Sequence, residues 1–192
     1  MGKTFFFSDP HYGHANICGG VSTWTEKSGC RNFNTLEEMN DIIVNAINSK
    51  VGVDDELYCL GDWSFGGIKN IYEFRKRLQV KTIHLILGNH DVHVEKNKIF
   101  EGIPVQELFT SVSNFKEISV NKQHIVLCHF PLEQWNNMDG GYWHLHGHCH
   151  GVLPETNFKR IDVGLDANNL NIFSFEDVEE IMVGKENKKH IR

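Results

Sequence analysis

No apolar run in this 192-residue chain approaches the ~20 residues that a membrane span requires. The first residues hold three consecutive phenylalanines but no apolar stretch of signal-peptide length. Together these absences predict a cytoplasmic protein without a membrane partner. Basic residues are also scarce: 19 Lys plus Arg stand against 25 Asp plus Glu, a formal charge of −6. That balance argues against long duplex DNA as a partner, because charge-driven binding needs a basic face. It leaves room for a small phosphorylated substrate held through metal ions. Paired cysteine spacing is missing as well. Cys18, Cys30, Cys59, Cys128 and Cys149 form no CxxC, and a full pairing would leave one over. This predicts free thiols in a reducing compartment and argues against a structural zinc module. With no internal repeat and no low-complexity linker, residues 1–192 read as one domain large enough for a proper core. The polar, basic end, 184–192, is expected to fray.

What is present is a series of short apolar runs that stop at polar clusters. Residues 3–8, 56–60, 83–87, 123–128 and 142–146 read as strands, as do 117–120 and 158–163. Asn121-Lys122 closes a hairpin between two of them. Helices are predicted over 35–50, 68–78 and 174–183 from apolar stripes and from Thr35/Glu38 and Ser174/Asp177 capping pairs. Residues 15–33 and 132–141 are long loops of the kind that serve a site. Residues 92–116 are expected to be irregular with one short helix. Strands alternating with helices, then a strand-rich second half, predict two sheets packed face to face with helices outside them.

Five of the strands end in chemistry: Asp9/His11, Asp62, Asn89/His90, His129 and His148/His150. Sites form where strand carboxyl ends converge. Asp, Asn and His suit divalent metals of intermediate softness, Mn, Fe, Zn, Co or Ni. Eight such residues, even with one set aside, exceed what one ion needs and suit two ions sharing a bridge. Asp62, alone in its cluster, is the natural bridge. Two ions about 4 Å apart can hold a hydroxide and clamp a phosphoryl group for in-line attack.

In order and approximate spacing, Asp9-x-His11, Gly61-Asp62, Gly88-Asn89-His90-Asp91, His129 and Gly147-His148-x-His150 resemble the calcineurin-like metallophosphoesterases. The small single-domain bacterial and phage members, with a DxHxGH opening like Asp9 to His14, are the most similar. The resemblance implies a four-layer α/β/β/α sandwich and a dinuclear centre, manganese first among the candidate metals. One ion would take Asp9, His11, Asp62 and His150. The other would take Asp62, Asn89, His129 and His148. His90 would face the substrate, stabilising phosphoryl oxygens or protonating the leaving group. The implied activity is hydrolysis of a phosphodiester derived from a nucleotide or nucleic acid. A phosphomonoesterase and a non-catalytic metal-binding interaction scaffold are the alternatives. The chain departs from the Ser/Thr protein phosphatases of the superfamily, which place Asp-Arg-Gly after Gly-Asp. Here Gly61-Asp62 runs into Trp63-Ser64-Phe65, which leaves His90 without its orienting carboxylate and favours a diester over a dianionic monoester.

Three further residues are expected near the substrate: His14 beyond Gly13, and Asn16 and Arg31 in the first long loop, within reach of phosphate oxygens. Trp63 is expected to pack in the core or line a wall rather than stack on a base. His144, His146 and Cys149 read as packing residues. Asp91 reads as a cap for the turn after it, and His84, His93, His124 and His190 receive no role.

Overall fold

The computed structural model describes residues 2–189. In chain order its strands and helices are β1 Thr4–Phe7, α1 Leu36–Lys50, β2 Glu56–Cys59, α2 Ile68–Arg77, β3 Thr82–Ile86, α3 Val92–Glu95, β4 Ile99–Phe100, β5 Ile103–Pro104, β6 Ser111–Ser113, β7 Phe115–Val120, β8 Gln123–Cys128, β9 Trp143–His146, β10 Arg160–Asp162, β11 Phe173–Ser174 and α4 Phe175–Val183. No helix among the described residues is long and apolar enough to cross a membrane.

Phe5, Phe6 and Phe7 show how the first sheet is built. Successive strand side chains point to opposite faces. Phe5 and Phe7 therefore join Leu57, Cys59, Ile83 and Leu85 beneath α1 and α2, whereas Phe6 faces the other way with Tyr58 and Ile86. The sheet order is β11-β1-β2-β3-β6, with β1, β2, β3 and β6 parallel and β11 antiparallel at the edge. The second sheet is β10-β9-β8-β7, in which β7 and β8 form the expected hairpin and β8, β9 and β10 run parallel. Its Ile125, Leu127, Trp143 and Leu145 meet Phe6 and Tyr58 in a core between the two sheets. Two mixed sheets flanked by helices are thus the architecture. The last helix, α4, joins the inter-sheet core through Phe175, Val178 and Met182. The outer face of the second sheet is covered instead by Trp135 and Met138 of the segment 132–141, packed on Val126.

Two strands of the first sheet leave little trace in the sequence. β6 is three residues with serine at both ends, and β11 is two residues absorbed by the capping signal of α4. That signal is real: Ser174 and Asp177 make a reciprocal capping box. At α1, Thr35 accepts from the Glu38 N–H, and the Glu38 carboxylate reaches past it to the Asn34 N–H.

The expected fraying of the end is corrected for residues 184–189. Lys185 donates to the Thr156 carbonyl at 2.7 Å, the Glu186 N–H donates to the Asn157 carbonyl at 2.7 Å, and buried Lys188 donates to Glu133. Residues 190–192, His190 among them, lie outside the described residues.

His144 on β9 is fully buried and satisfied in its neutral form. Its Nδ1–H donates to the Val126 carbonyl at 3.1 Å, and its Nε2 accepts from the Leu132 N–H at 3.0 Å. Burial pulls its pKa from 6.5 down to about 3, against the pull of the Val126 bond. A lowered histidine pKa stabilises the fold above the unfolded value, and that contribution is lost as pH falls through the window from 6.5 to about 3. His144→Leu should cost about 2–3 kcal/mol at pH 7, since it orphans a buried N–H and a buried carbonyl. It should also flatten the loss of stability between pH 6.5 and 5, where the wild type gives up about 2 kcal/mol through this group. Urea unfolding of both proteins at the two pH values checks this. An unchanged slope in the variant would remove His144 as the titrating group.

Candidate metal centre

The parallel strands β1, β2 and β3 end on one rim, and β8 and β9 end on the rim that meets it. Backbone bonds hold these ends in place, the first of them across the two rims. The Ser8 N–H donates to the Val163 carbonyl at 3.1 Å, the Asp9 N–H to Gly61 at 3.1 Å and the His11 N–H to Asp62 at 3.0 Å. The five polar clusters are thereby brought into one place. Local backbone is bent to do it. Asp9, His11, Asp62, His148 and His150 all adopt left-handed φ, between 47° and 70°. For a residue with a Cβ this conformation costs roughly 1 kcal/mol or more, and such strain gathers at functional sites. Two glycines admit the close approach. A Cβ on Gly88 would collide with the Asp62 carboxylate and N–H, and one on Gly147 with the Ser8 hydroxyl and the Asp9 carboxylate.

Within the cluster, acceptors face acceptors. Asp9 Oδ2 accepts from the His148 N–H at 2.9 Å, while buried Oδ1 has no partner among the described residues. His11, 2% exposed, has neither ring nitrogen bonded among the described residues. Its Nε2 lies 3.5 Å from Asp62 Oδ2 and 3.9 Å from Asp9 Oδ1. His129 donates its Nδ1–H to the Leu60 carbonyl at 2.7 Å, which leaves a lone pair on Nε2. That lone pair looks at Asn89 Oδ1, 3.1 Å away, and Asp62 Oδ2, 3.6 Å away. Such convergence is repulsive unless a cation lies among the acceptors. Asp9, His11 and His150 form one group whose ligand atoms lie within 4.8 Å of one another, and Asp9, Asp62 and His129 form a second. The orphaned Asp9 and His11 atoms and the facing lone pairs fit metal ions. Two clusters sharing Asp9 are consistent with a dinuclear centre. Asp62 Oδ2 lies 3.5 Å from His11 Nε2 and 3.6 Å from His129 Nε2.

Electrostatics agree with the geometry. Burial raises the Asp9 carboxyl to about 7, and neighbouring Asp62 pushes the same way. Burial pulls His11 far down, helped by the positive charge of Arg31. His129 is lowered, again chiefly by burial. A set of donors this hard to charge in place waits for an external positive charge.

The remaining expected residues divide. His148 is exposed, its ring against His129 at 5.1 Å and Phe130 at 4.8 Å, outside both three-residue groups. His90 is exposed too. Its N–H donates to Asp62 Oδ1 at 2.9 Å, and its ring lies edge-on to His11 and Phe65. His14 stacks on Phe65, with ring centroids 3.9 Å apart, and lines the cavity beside the cluster. Burial lowers its pKa to about 4. Asn16 is occupied in its own loop, accepting from the Thr23 N–H and hydroxyl at 3.0 and 2.9 Å. Arg31 does not point at the site. It is 6% exposed, and four of its five N–H groups are used by the Asp9 and Pro10 carbonyls and by both oxygens of Asp166. It braces the first ligand loop, so the expected phosphate contact is not supported by its position. Trp63 is fully buried, as expected, and Cys149 is half-buried at the cavity wall.

Two residues do more than their sequence positions suggest. Asp91 does not cap α3. Its carboxylate accepts from the N–H groups of Asp62 at 2.8 Å, Trp63 at 3.0 Å and Gly88 at 2.8 Å, and so ties two ligand loops together. Asp166 is not among the residues expected from the sequence. It accepts the His150 Nδ1–H at 2.6 Å, which turns Nε2 of that ring toward Asp9 and His11. Burial would raise the Asp166 carboxyl, but bonds from His150 and Arg31 overcome this and hold it well below the usual range. One signal could have found it: Gly164-Leu165-Asp166 stands just beyond a sixth strand end, that of β10.

Comparison with known proteins finds relatives along most of the chain. Residues 2–187 match the model of a family described as calcineurin-like phosphoesterase. An uncharacterized protein of Methanocaldococcus jannaschii is 30% identical over 178 residues, spanning 89% of this chain and 85% of that protein. The Gene 66 protein of Mycobacterium phage L5 is 29% identical over 192 residues, spanning 87% and 88%. The crystal structure of a protein of unknown function from Aquifex aeolicus superposes with a TM-score of 0.67 at 19% identity, covering 94% of this chain and all of that one, a likeness of fold.

Proposed function

This chain belongs to the calcineurin-like phosphoesterase family, and we propose that it hydrolyses a small phosphodiester, of nucleotide or nucleic-acid origin, with two divalent metal ions. The observation that carries the reading is the pair of overlapping carboxylate–histidine groups built on strand ends. In this reading Asp9, His11, Asp62 and His150 hold one ion, and Asp62, Asn89, His129 and His148 the other. The mixed oxygen and imidazole donors suit manganese, with Fe, Zn, Ni or Co as substitutes. When bound, the ions supply Lewis acidity to the phosphoryl oxygens and make water acidic enough to attack at neutral pH. The chain's own groups do the rest. Asp166 fixes the His150 tautomer, the Leu60 carbonyl fixes that of His129, and the strained loops keep the donors from collapsing on one another. His90, exposed beside His11, gives its proton to the departing oxygen.

Diester is preferred to monoester for a reason of charge. A dianion needs a cation beyond the ions, and Arg31 is tied to Asp166. Among the described residues no Lys or Arg lines the cavity at the cluster. Five unpaired cysteines accord with a cytoplasmic setting. The test is a panel of aryl diesters, aryl monoesters and cyclic nucleotides, run on protein reconstituted with Mn²⁺, Zn²⁺ or Ni²⁺. Diester turnover at least tenfold above monoester is expected. The reverse order would make the protein a phosphomonoesterase. Tight metal binding with no turnover across the panel would favour the non-catalytic scaffold.

A further inference from the structure

We propose that Trp24 and Phe65 form a stacking subsite for a planar, uncharged aromatic leaving group. The proposal rests on the phosphodiesterase reading and names its substrate class. A cavity of about 620 Å³ opens beside the metal cluster, and its walls include Ile17, Trp24, Phe65, Val152 and the imidazoles of His14 and His90. That volume suits a nucleoside or a two-ring aryl group. Trp24 is 45% exposed and Phe65 38% exposed. Leaving such apolar area in water costs about 25 cal/mol per Å², which the fold recovers only when something covers it. Phe65 is held face to face with His14 at 3.9 Å, and Trp24 stands edge-on to His14 at 5.9 Å. The two aromatic side chains therefore share one side of the cavity through a common neighbour.

Position tells which part of the substrate enters. His90 sits between the cluster and the cavity, 5.5 Å from the His11 ring on one side and 5.3 Å from Phe65 on the other. A group that receives a proton from His90 leaves into the cavity. Charge tells what the group is. With no Lys or Arg among the described residues of the lining, a second phosphate would enter without a counter-ion. A continuing nucleic-acid strand and a diphosphate are thereby disfavoured, and a nucleoside or aryl group is favoured. Asn16 acquires a use here. By accepting from both the N–H and the hydroxyl of Thr23 it fixes the loop on which Trp24 stands, and the Trp24 N–H is itself held by the Ser22 hydroxyl at 3.2 Å.

The test compares methyl phenyl phosphate with methyl 2-naphthyl phosphate, whose leaving phenols are of similar acidity, on metal-loaded protein. Stacking should favour the naphthyl ester about tenfold in kcat/KM, mostly through KM. Trp24→Leu and Phe65→Leu should each erase most of that preference with metal content unchanged. Equal rates for the two esters, or a preference that survives both substitutions, would overturn the subsite and leave the phosphodiesterase reading standing. A second readout does not depend on turnover: adenosine should quench the tryptophan fluorescence of the wild type and not of Trp24→Leu. If no diester is hydrolysed, the functional reading fails and this quench decides the subsite by itself. Its presence would support the subsite, and its absence would overturn it.

Discussion

Replacing His90 by alanine should leave the metal content at the wild-type ratio and lower kcat on an aryl diester by roughly 10²–10⁴-fold, the range of a lost general acid. The structure separates the two effects. What His90 contributes to the cluster is its backbone N–H, bonded to Asp62 Oδ1 at 2.9 Å, and alanine keeps it. What it would offer a substrate in the proposed reaction is its exposed ring, which lines the cavity. Its neighbour behaves oppositely. Asn89 Oδ1 lies 3.1 Å from His129 Nε2, among the facing lone pairs, so Asn89→Ala removes an oxygen donor and should lower metal occupancy. Metal analysis of the purified variants distinguishes them, and a leaving-group series identifies the proton. The His90→Ala loss should shrink for a p-nitrophenyl ester, whose phenolate needs no proton, relative to a phenyl ester. Equal metal loss in both variants would sink the division of labour between these adjacent residues.

That division is hard to see in a sequence, and the reason is geometric. Strand ends announce themselves: Phe5 to Phe7 is a continuous apolar run, Ile83 to Leu87 is apolar but for His84, and each stops at a polar cluster. The ligand candidates were legible because each stands within a few residues of such a stop. The residues that support them were not, because their partners are distant in the chain. Asp166 is 16 residues from His150 and 135 from Arg31. Nothing local to Arg31 reveals that a carboxylate waits there, so an arginine beside a glycine-rich loop reads as a phosphate contact. Asp91 shows the same limit. Set just before a short helix, it looks like a cap, yet its carboxylate is spent on N–H groups 28 and 29 residues upstream as well as on Gly88. The fold shows a parallel pattern. The long, patterned elements α1, α2, β3 and the β7–β8 hairpin were readable, whereas β6 and β11 exist through pairing with neighbours that propensity does not describe. Trp63 was readable for the right reason: a large aromatic directly after a buried strand end belongs to the core, where it meets Phe74 at 4.5 Å and Phe109 at 5.0 Å.

The strain and the buried charge of the cluster point to a trade between stability and function, which Asp9→Asn should expose. Asp9 is fully buried, holds a left-handed φ of 57°, and has one oxygen without a partner. Burial raises its folded pKa from 3.8 to about 7 in the metal-free protein. A carboxyl whose folded pKa lies above its unfolded value stabilises the fold below that unfolded value. The contribution is lost as pH rises through the window from 3.8 to about 7, and stays lost above it. Metal-free wild type should therefore weaken across this window, by up to about 4 kcal/mol for a rise of that size. Asparagine never ionises and still accepts the His148 N–H through its carbonyl oxygen. The metal-free variant should accordingly be the more stable of the two at pH 8. Metal reverses the order. Ions at a hundred times their dissociation constant add about 2.7 kcal/mol per site to the wild type, about 5.4 kcal/mol for two, which outweighs that penalty. The variant has lost a carboxylate that belongs to both three-residue donor groups and should bind metal poorly and fall roughly 10³-fold in kcat/KM. Thermal melts of both proteins at pH 5 and pH 8, with and without Mn²⁺, check this. The expected result is a crossing: the variant melts higher without metal at pH 8 and lower with it. A variant less stable than wild type in both states would mean that Asp9 holds the fold together, rather than straining it to receive the ions.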